Sequence, residues 1–380
     1  VSRWPGKYVI GLTGNIATGK SVVRRMLEQL GAYTIDADML AHRAIAKGAP
    51  GYQAVVDTFG RWILDANGEI NRERLGRVVF SDPEALKKLE AIVHPLVFQA
   101  IDVMVRRASQ PIVVIEAIKL LETELRFACD AIWVIRAPTD VQLERLMQKR
   151  QMSREEALQR IQAQSPQQEK IAQAHVAIEN RGSYEELWKE VSRHWQAIPA
   201  PSRKSGATPP PPAAAAGELT VTRGRPRNAS RIAEAITRLS EGRRQVSAED
   251  IMAAFGDKAF VLLQQGERIA GIAGWQVENL VARTTDVYLE KTVDVQKALE
   301  MLLGEIERAS RELQCEASLV FISPSLAQNL ALWKGLGYEP RLPETLGVQA
   351  WKEAALESRP KEPHVMFFKQ LRQDRVLRPI

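Results

Sequence analysis

Apolar runs and helical periods alternate along the first half of the chain. KYVIGLTG (residues 7–14) reads as a buried strand, and residues 20–30 as a helix stopped by Gly31. AYTID is a second short strand, and PIVVIEAI and AIWVIRA are β-branched runs suited to strands covered on both faces. HVAIEN is the last strand of the series. Ser81-Asp82-Pro83-Glu84 reads as a capping box that opens a long helix through HPLVFQAIDVMVRRA. Ser153-Arg154-Glu155-Glu156 caps another helix, and Ser183 opens the closing one through Trp195. Strands separated by helices predict an α/β domain, a doubly wound parallel sheet with helices on both faces.

The pattern changes in residues 229–371. Helical segments (RIAEAITRLSEG, SAEDIMAAFG) precede a hairpin of AFVLLQQ and RIAGIAGWQV around Gly266-Glu267. TDVYLE is a further strand. Asp294–Leu313 reads as a long amphipathic helix with Val295, Leu299, Leu302 and Leu303 on its apolar face. ASLVFIS, a helix within AQNLALWKGLGYEP and a late VMFFKQL strand complete an α+β set with an antiparallel start. Between the halves lies PAPSRKSGATPPPPAAAAGELTVTRGRPRN, whose Pro and Ala runs offer too few large apolar residues for a core. Such a segment acts as a semi-rigid spacer. The expected organisation is therefore a domain over 1–198, a basic linker over 199–228 and a second domain over 229–380.

Composition agrees with two ordinary globular domains: 380 residues, 45% of them hydrophobic. No run of about 18 apolar residues occurs, so no membrane partner is expected. The net charge of +6 suggests nucleic acid until it is located. Most of it comes from Arg203, Lys204, Arg223, Arg225, Arg227 and Arg231, in and beside the linker, against Glu218 alone. RGRP (Arg223–Pro226) resembles the core of a minor-groove hook, yet four residues in a basic spacer also read as solvated linker. Nucleic acid is not the expected partner. Cys129 and Cys315 are far apart without ligand spacing, and are expected as reduced buried thiols. With no charged-then-apolar leader before the first strand, the expected location is the cytoplasm. The chain begins VSRW without Met, which reads as a trimmed end.

Chemistry enters with GLTGNIATGKS (residues 11–21), in which Gly14, Gly19, Lys20 and Ser21 complete G-x-x-x-x-G-K-[ST]. Glycines let backbone N–H groups turn inward around phosphates, and the following helix points its N-terminus at the anion. Lys20 can reach the β/γ oxygens, and the Ser21 hydroxyl can ligate Mg²⁺. Gly14, Ala17, Thr18, Gly19, Lys20, Ser21 and Val22 are the candidate ATP-binding residues. Next, IDADMLAH (residues 35–42) sets Asp36 and Asp38 at the carboxyl edge of a strand, where ligands sit in this fold. Alone, that pair reads equally as a helix cap plus a solvent-facing acid.

With these motifs go LEAIVHPLV, LLE (Leu120–Glu122), VQLERLMQKR, ALQRIQAQ and IEN-x-GS (Ile178–Ser183). Together, over residues 7–195, they resemble the dephospho-coenzyme A kinase family. The resemblance implies transfer of the ATP γ-phosphoryl group to the ribose 3′-hydroxyl of dephospho-CoA, with ATP and Mg²⁺ required. It implies Asp38 as base, and Thr13, Asp36 and His94 beside the acceptor. A buried His94 satisfied by backbone is the competing expectation. Arg145, Lys149 and Arg150 fall at one-turn spacing on a helix that looks like a lid, where cations neutralise charge on the transferred group. A merely exposed charged face is the alternative. Arg160 and Gln164, on the next helix, are placed to close toward the nucleotide.

The sequence departs from that family in places. Asn15 and Ala17 stand where glycine is usual, Ile118-Lys119-Leu120-Leu121 replaces a Pro-Leu-Leu element, and Ala174-His175 replaces an Ala-Asp pair. The second half, through NLALWKGLGYEP (Asn329–Pro340), resembles GNAT-type acetyltransferases. In place of that family's glycine loop stands YLEKTVDVQKALEML, with Glu290 and Asp294 where a pyrophosphate would approach. Trp333 occupies the place where the family often has a Tyr acting as general acid. A non-catalytic or CoA-sensing domain is therefore expected. Another small-molecule kinase with an active acetyltransferase domain, or an ATP-sensing module, remains the alternative, and the oligomeric state stays open.

Overall fold

A computed structural model of the chain describes residues 3–199, 218–358, 360 and 363–373, with the Lys149 side chain outside the described set. It divides into two compact units, each built around one sheet.

The first half runs β1 (Tyr8–Thr13), α1 (Lys20–Gln29), β2 (Tyr33–Asp36), α2 (Ala37–Ala44), α3 (Tyr52–Phe59), α4 (Arg72–Ser81) and α5 (Pro83–Arg107). It continues with β3 (Ile112–Glu116), β4 (Ala131–Arg136), α6 (Thr139–Arg150), α7 (Arg154–Gln162), α8 (Gln167–Ile171), β5 (Val176–Glu179) and α9 (Tyr184–Gln196). The sheet order is β2-β3-β1-β4-β5 and every pairing is parallel, as the alternating pattern predicts. Parallel strands need crossovers, so β1, β2, β4 and β5 are each followed by α-helix and β3 by two short 3₁₀ turns (Leu120–Glu122 and Glu124–Ala128). β3 is buried along its whole length and β1 from Val9 to Thr13. Because the chain order reverses across β1, a crevice opens at the carboxyl ends of the strands.

Two local expectations change. The cap of α5 is Asp82, whose carboxylate accepts the Glu84 amide at 2.9 Å. Ser81 instead closes α4, its hydroxyl donating to the carbonyls of Arg77 and Val78. Ser153 does form the expected reciprocal box with Glu156, and Ser183 caps α9. Cys129 is half-buried rather than buried, while Cys315 is fully buried, and both are free thiols.

The second half runs β6 (Leu219–Arg223), α10 (Ala229–Leu239), α11 (Ala248–Ala254), β7 (Ala259–Gln265), β8 (Arg268–Glu278), β9 (Val281–Leu289) and α12 (Val295–Glu312). Then come β10 (Ala317–Ile322), α13 (Pro324–Ala327), α14 (Leu330–Gly335), β11 (Glu339–Pro340), α15 (Gln349–Glu357) and β12 (Val365–Gln370). The sheet order is β11-β12-β10-β9-β8-β7-β6. All its pairings are antiparallel except β9 with β10, which α12 connects as a crossover. Leu219–Arg223, which composition assigns to the linker, form an edge strand. The Arg223 guanidinium there pairs with Glu305 and lies over the Trp275 ring. On α12, Leu299, Leu302 and Leu303 are buried as the period predicts, with Ile306 one turn further on. Val295 is 39% exposed, because it lies in the first turn, before the helix meets the core.

Candidate active site

The loop between β1 and α1 turns on backbone that side chains resist. Gly14 has φ 152° and Gly19 φ 94°, and a Cβ at Gly14 would sit 2.2 Å from the Ile135 carbonyl oxygen. Glycine is required there. Ala17 adopts the left-handed region with φ 58°, a conformation that costs a non-glycine residue about 1 kcal/mol. Within the loop the Asn15 carbonyl accepts from the Thr18 hydroxyl at 2.9 Å and from Lys20 Nζ at 3.1 Å. Lys20 is buried and Ser21 exposed, at the first turn of α1; Val22, also named from the motif, is half-buried there. A loop that turns on glycine backbone in this way is the kind that directs N–H groups at phosphate oxygens.

Segments downstream clasp this loop. Gln142 on α6 donates to the Ile16 carbonyl at 2.6 Å, and Gln164 accepts the Ile16 amide at 2.7 Å. Gln167 on α8 donates to Gln142 at 3.3 Å and exchanges two hydrogen bonds with the Ala137 backbone. Asn15 Nδ2 reaches the Ser165 carbonyl at 2.9 Å, so the bulkier residue at a usual glycine position ties the loop to the same clasp. Arg145 donates to the carbonyls of Ala17 and Thr18 at 3.1 and 3.3 Å. Partial burial lowers its pKa, opposed by Glu144. Arg150 is exposed, and the side chain of Lys149 lies outside the described residues.

Across the crevice, Asp36 and Asp38 divide the two readings that their spacing allows. Asp36 caps α2, accepting the Met39 amide at 2.9 Å. Asp38, in the first turn, accepts the Ile118 amide at 3.0 Å. Its pKa is pushed up to about 6, first by desolvation and then by the Asp36 charge, against the pull of the Ile118 N–H and Lys20. Lys20 is shifted down by burial, while Glu116, Asp38 and Asp36 hold it up. The two groups therefore stabilise each other's charged form.

Thr13 is buried and its hydroxyl donates to the Ile118 carbonyl at 3.1 Å, so it shapes the segment after β3. His94 corrects the competing expectation: it is exposed on α5, because it precedes Pro95 on the solvent side of that helix. Lys119 pairs with Glu90 of α5 at 3.1 Å. His175 accepts the Ile132 amide at 3.0 Å through Nδ1, anchoring the entry to β5.

Sequence reasoning missed two charged residues here. Glu116 is 4% exposed at the end of β3, in register with Asp36 on one side and Leu12 on the other. An acid closing an otherwise apolar strand was the available signal. Lys170, 5% exposed on α8, gave none, because a five-residue helix carries no readable face.

Comparison with known proteins bears on this site. The family model described as CoaE, dephospho-CoA kinase, matches residues 8–186. The dephospho-CoA kinase of Geobacter sulfurreducens is 41% identical over 190 residues, covering 49% of this chain and 96% of that protein. Among solved structures, TT1252 from Thermus thermophilus is 34% identical, covers 50% of this chain and 97% of its own, and has a TM-score of 0.47. A GNAT-family acetyltransferase from Staphylococcus aureus is 12% identical, covering 41% of this chain and 100% of that one, with a TM-score of 0.31.

Proposed function

The chain belongs, through its first half, to the dephospho-CoA kinase family, and from that premise we propose how its residues carry out the reaction. The activity is phosphorylation of the ribose 3′-hydroxyl of dephospho-CoA by ATP, giving CoA and ADP, the last step of CoA synthesis. The 3′ oxygen attacks the γ phosphorus, the bond to the β-phosphate oxygen breaks, and the hydroxyl proton passes to Asp38. The single observation that carries this assignment is Asp38 itself. It is a half-buried carboxylate with a pKa of about 6, fixed by the Ile118 amide and facing the loop lysine. A base of that strength is ionised at neutral pH yet still able to take a proton.

Lys20 and the loop amides bind the β- and γ-phosphates, and Arg145 adds positive charge from α6. Thr13, Asp36 and His94 line the acceptor side, Asp36 chiefly by holding the first turn of α2. Mg²⁺ belongs to the same reading: Ser21, beside Lys20, suits it, and a bound Mg²⁺ supplies charge neutralisation across the phosphates. Phosphoryl transfer asks little else of a protein than alignment and electrostatics.

The second unit is read as non-catalytic, with CoA sensing as its candidate role. Asp294, at the N-terminus of α12, accepts the Lys297 amide at 2.9 Å with its own carboxylate. Glu290 pairs with Arg238 and Arg268. Trp333 is fully buried, stacked on Phe367, its indole donating to the Leu326 carbonyl at 3.0 Å. These contacts support a core role rather than proton transfer. Cytoplasmic residence fits two free thiols, and among the described residues no helix is long and apolar enough to cross a membrane.

The test is ATP consumption by the full chain with dephospho-CoA, and with adenosine or simple alcohols as controls. CoA formed only from dephospho-CoA supports the reading; equal turnover of the other alcohols, or none, overturns it. Titration with CoA and acetyl-CoA in the presence of amines tests the second unit, where acetyl transfer would contradict the assignment.

A further inference from the structure

We propose that Lys170 is a positioning residue for Asp38, acting through the backbone of Ile118 and through its buried charge. This inference rests on Asp38 being the base. Ile118 follows β3 and is held at both its backbone ends. Its amide donates to Asp38 Oδ2 at 3.0 Å. Its carbonyl accepts Lys170 Nζ and the Thr13 hydroxyl, each at 3.1 Å. Lys170 comes from α8, near the far end of the domain sequence, and the residue as a whole is 5% exposed. Among the described residues the Ile118 carbonyl is its sole hydrogen-bond partner.

A buried ammonium with one partner is costly, and such a group persists where surrounding charge compensates it. Here the compensation is acidic. Glu122 and Asp38 oppose the lowering of its pKa that burial imposes, and the charge is felt at Lys20 as well. Asp36, Asp38, Glu116 and Glu122 thus face two buried cations, Lys20 from the loop and Lys170 from α8. With Lys20 engaged by the Asn15 carbonyl and committed to the nucleotide, Lys170 is the cation on the acceptor side. Losing it would leave the Ile118 carbonyl held by the Thr13 hydroxyl alone, loosen the segment after β3 and leave Asp38 misaligned among acids. Misplacement of a reacting group by about 1 Å costs on the order of 10²-fold in rate.

The test compares Lys170→Met, Lys170→Gln and Lys170→Arg in the full chain, measuring kcat, KM for ATP and KM for dephospho-CoA. The expected result for Lys170→Met is kcat reduced by about 10²-fold with KM for ATP within about twofold of wild type. Lys170→Arg, which keeps charge and donor, should recover most of the loss, and Lys170→Gln should recover little. If Lys170→Met does not fold, the contrast between Gln and Arg decides on its own. A Gln variant with wild-type kcat, or variants that lose ATP affinity in proportion to kcat, would overturn the proposal. Wild-type protein that makes no CoA overturns the kinase reading itself, a result that the variants cannot mimic.

Discussion

The carboxylate of Asp38 and the amide of Ile118 meet at 3.0 Å, joining the first turn after β2 to the segment after β3. That contact ties together the carboxyl ends of two neighbouring strands through residues 80 apart in sequence. It also makes Asp38, the proposed base, part of the fold rather than a side chain free to swing.

Asp38→Asn should therefore keep the contact and lose the chemistry. The amide oxygen can still accept the Ile118 N–H, but it cannot take a proton. Turnover should fall by about 10³-fold or more, while ATP affinity measured by calorimetry stays within about threefold. The same change should stabilise the protein. A folded-state pKa raised from 3.8 to about 6 means the ionised acid destabilises the fold above that range, and the penalty is relieved as pH falls through about 6. Allowing for solvent screening of a half-buried group, removal of the charge should add on the order of 1 kcal/mol at pH 8 and nothing near pH 3. Loss of ATP binding would contradict the assigned role.

The pH profile should carry the same signature. With Asp38 in the proposed role of base, kcat/KM should drop as pH falls through about 6. Asp36 contributes to raising that pKa, and Asn caps helices as well as Asp does. Asp36→Asn should accordingly move the acid limb to lower pH with the fold intact. A limb that stays in place would show that another group controls it.

Two loop substitutions should act in opposite directions. Ala17→Gly relieves a left-handed φ of 58° and should raise stability by about 0.5 kcal/mol in thermal melts, the unfolded-state entropy of glycine offsetting part of the gain. Gly14→Ala brings a Cβ to 2.2 Å from the Ile135 carbonyl and should weaken ATP binding by tenfold or more, with about 1–3 kcal/mol lost from the fold.

Arg145→Ala should reduce kcat by about 10²–10³-fold, because a cation stabilises charge on the transferred group. Arg145→Lys should be only a partial rescue: one nitrogen, Nη1, makes both carbonyl contacts and an ammonium can repeat them, but it lacks the planar fork that matches phosphate oxygens. Wild-type kcat in the alanine variant would assign Arg145 to loop structure alone.

Much of this site was legible because its signals are local. Gly14, Gly19, Lys20 and Ser21 lie within eight consecutive residues, and backbone geometry dictates their types. The parallel sheet was legible for a similar reason, since strands buried on both faces read as continuous apolar runs. What escaped was assembled across distance. Lys170 meets Ile118 only when α8 and the segment after β3 are brought together, and nothing in a five-residue helix announces it. The buried alternative for His94 failed because proximity to a proline says nothing about which side of a long helix faces water. Leu219–Arg223 were hidden by the proline-rich run before them. A β-branched alternation of five residues is a faint signal beside such composition.

The glutamine clasp has a mechanical consequence. Gln142 near the foot of α6, with Gln164 and Gln167 beyond α7, pins both feet of the α6–α7 hairpin to the nucleotide loop. A hinge at those feet would break several hydrogen bonds at once. The left-handed Gln151, φ 53°, sits instead at the free apex. Any bending of the hairpin is therefore expected above those feet rather than at them. Residues can be gained or lost at the apex with little penalty, whereas one inserted between Gln164 and Gln167 would throw the whole fastening out of step.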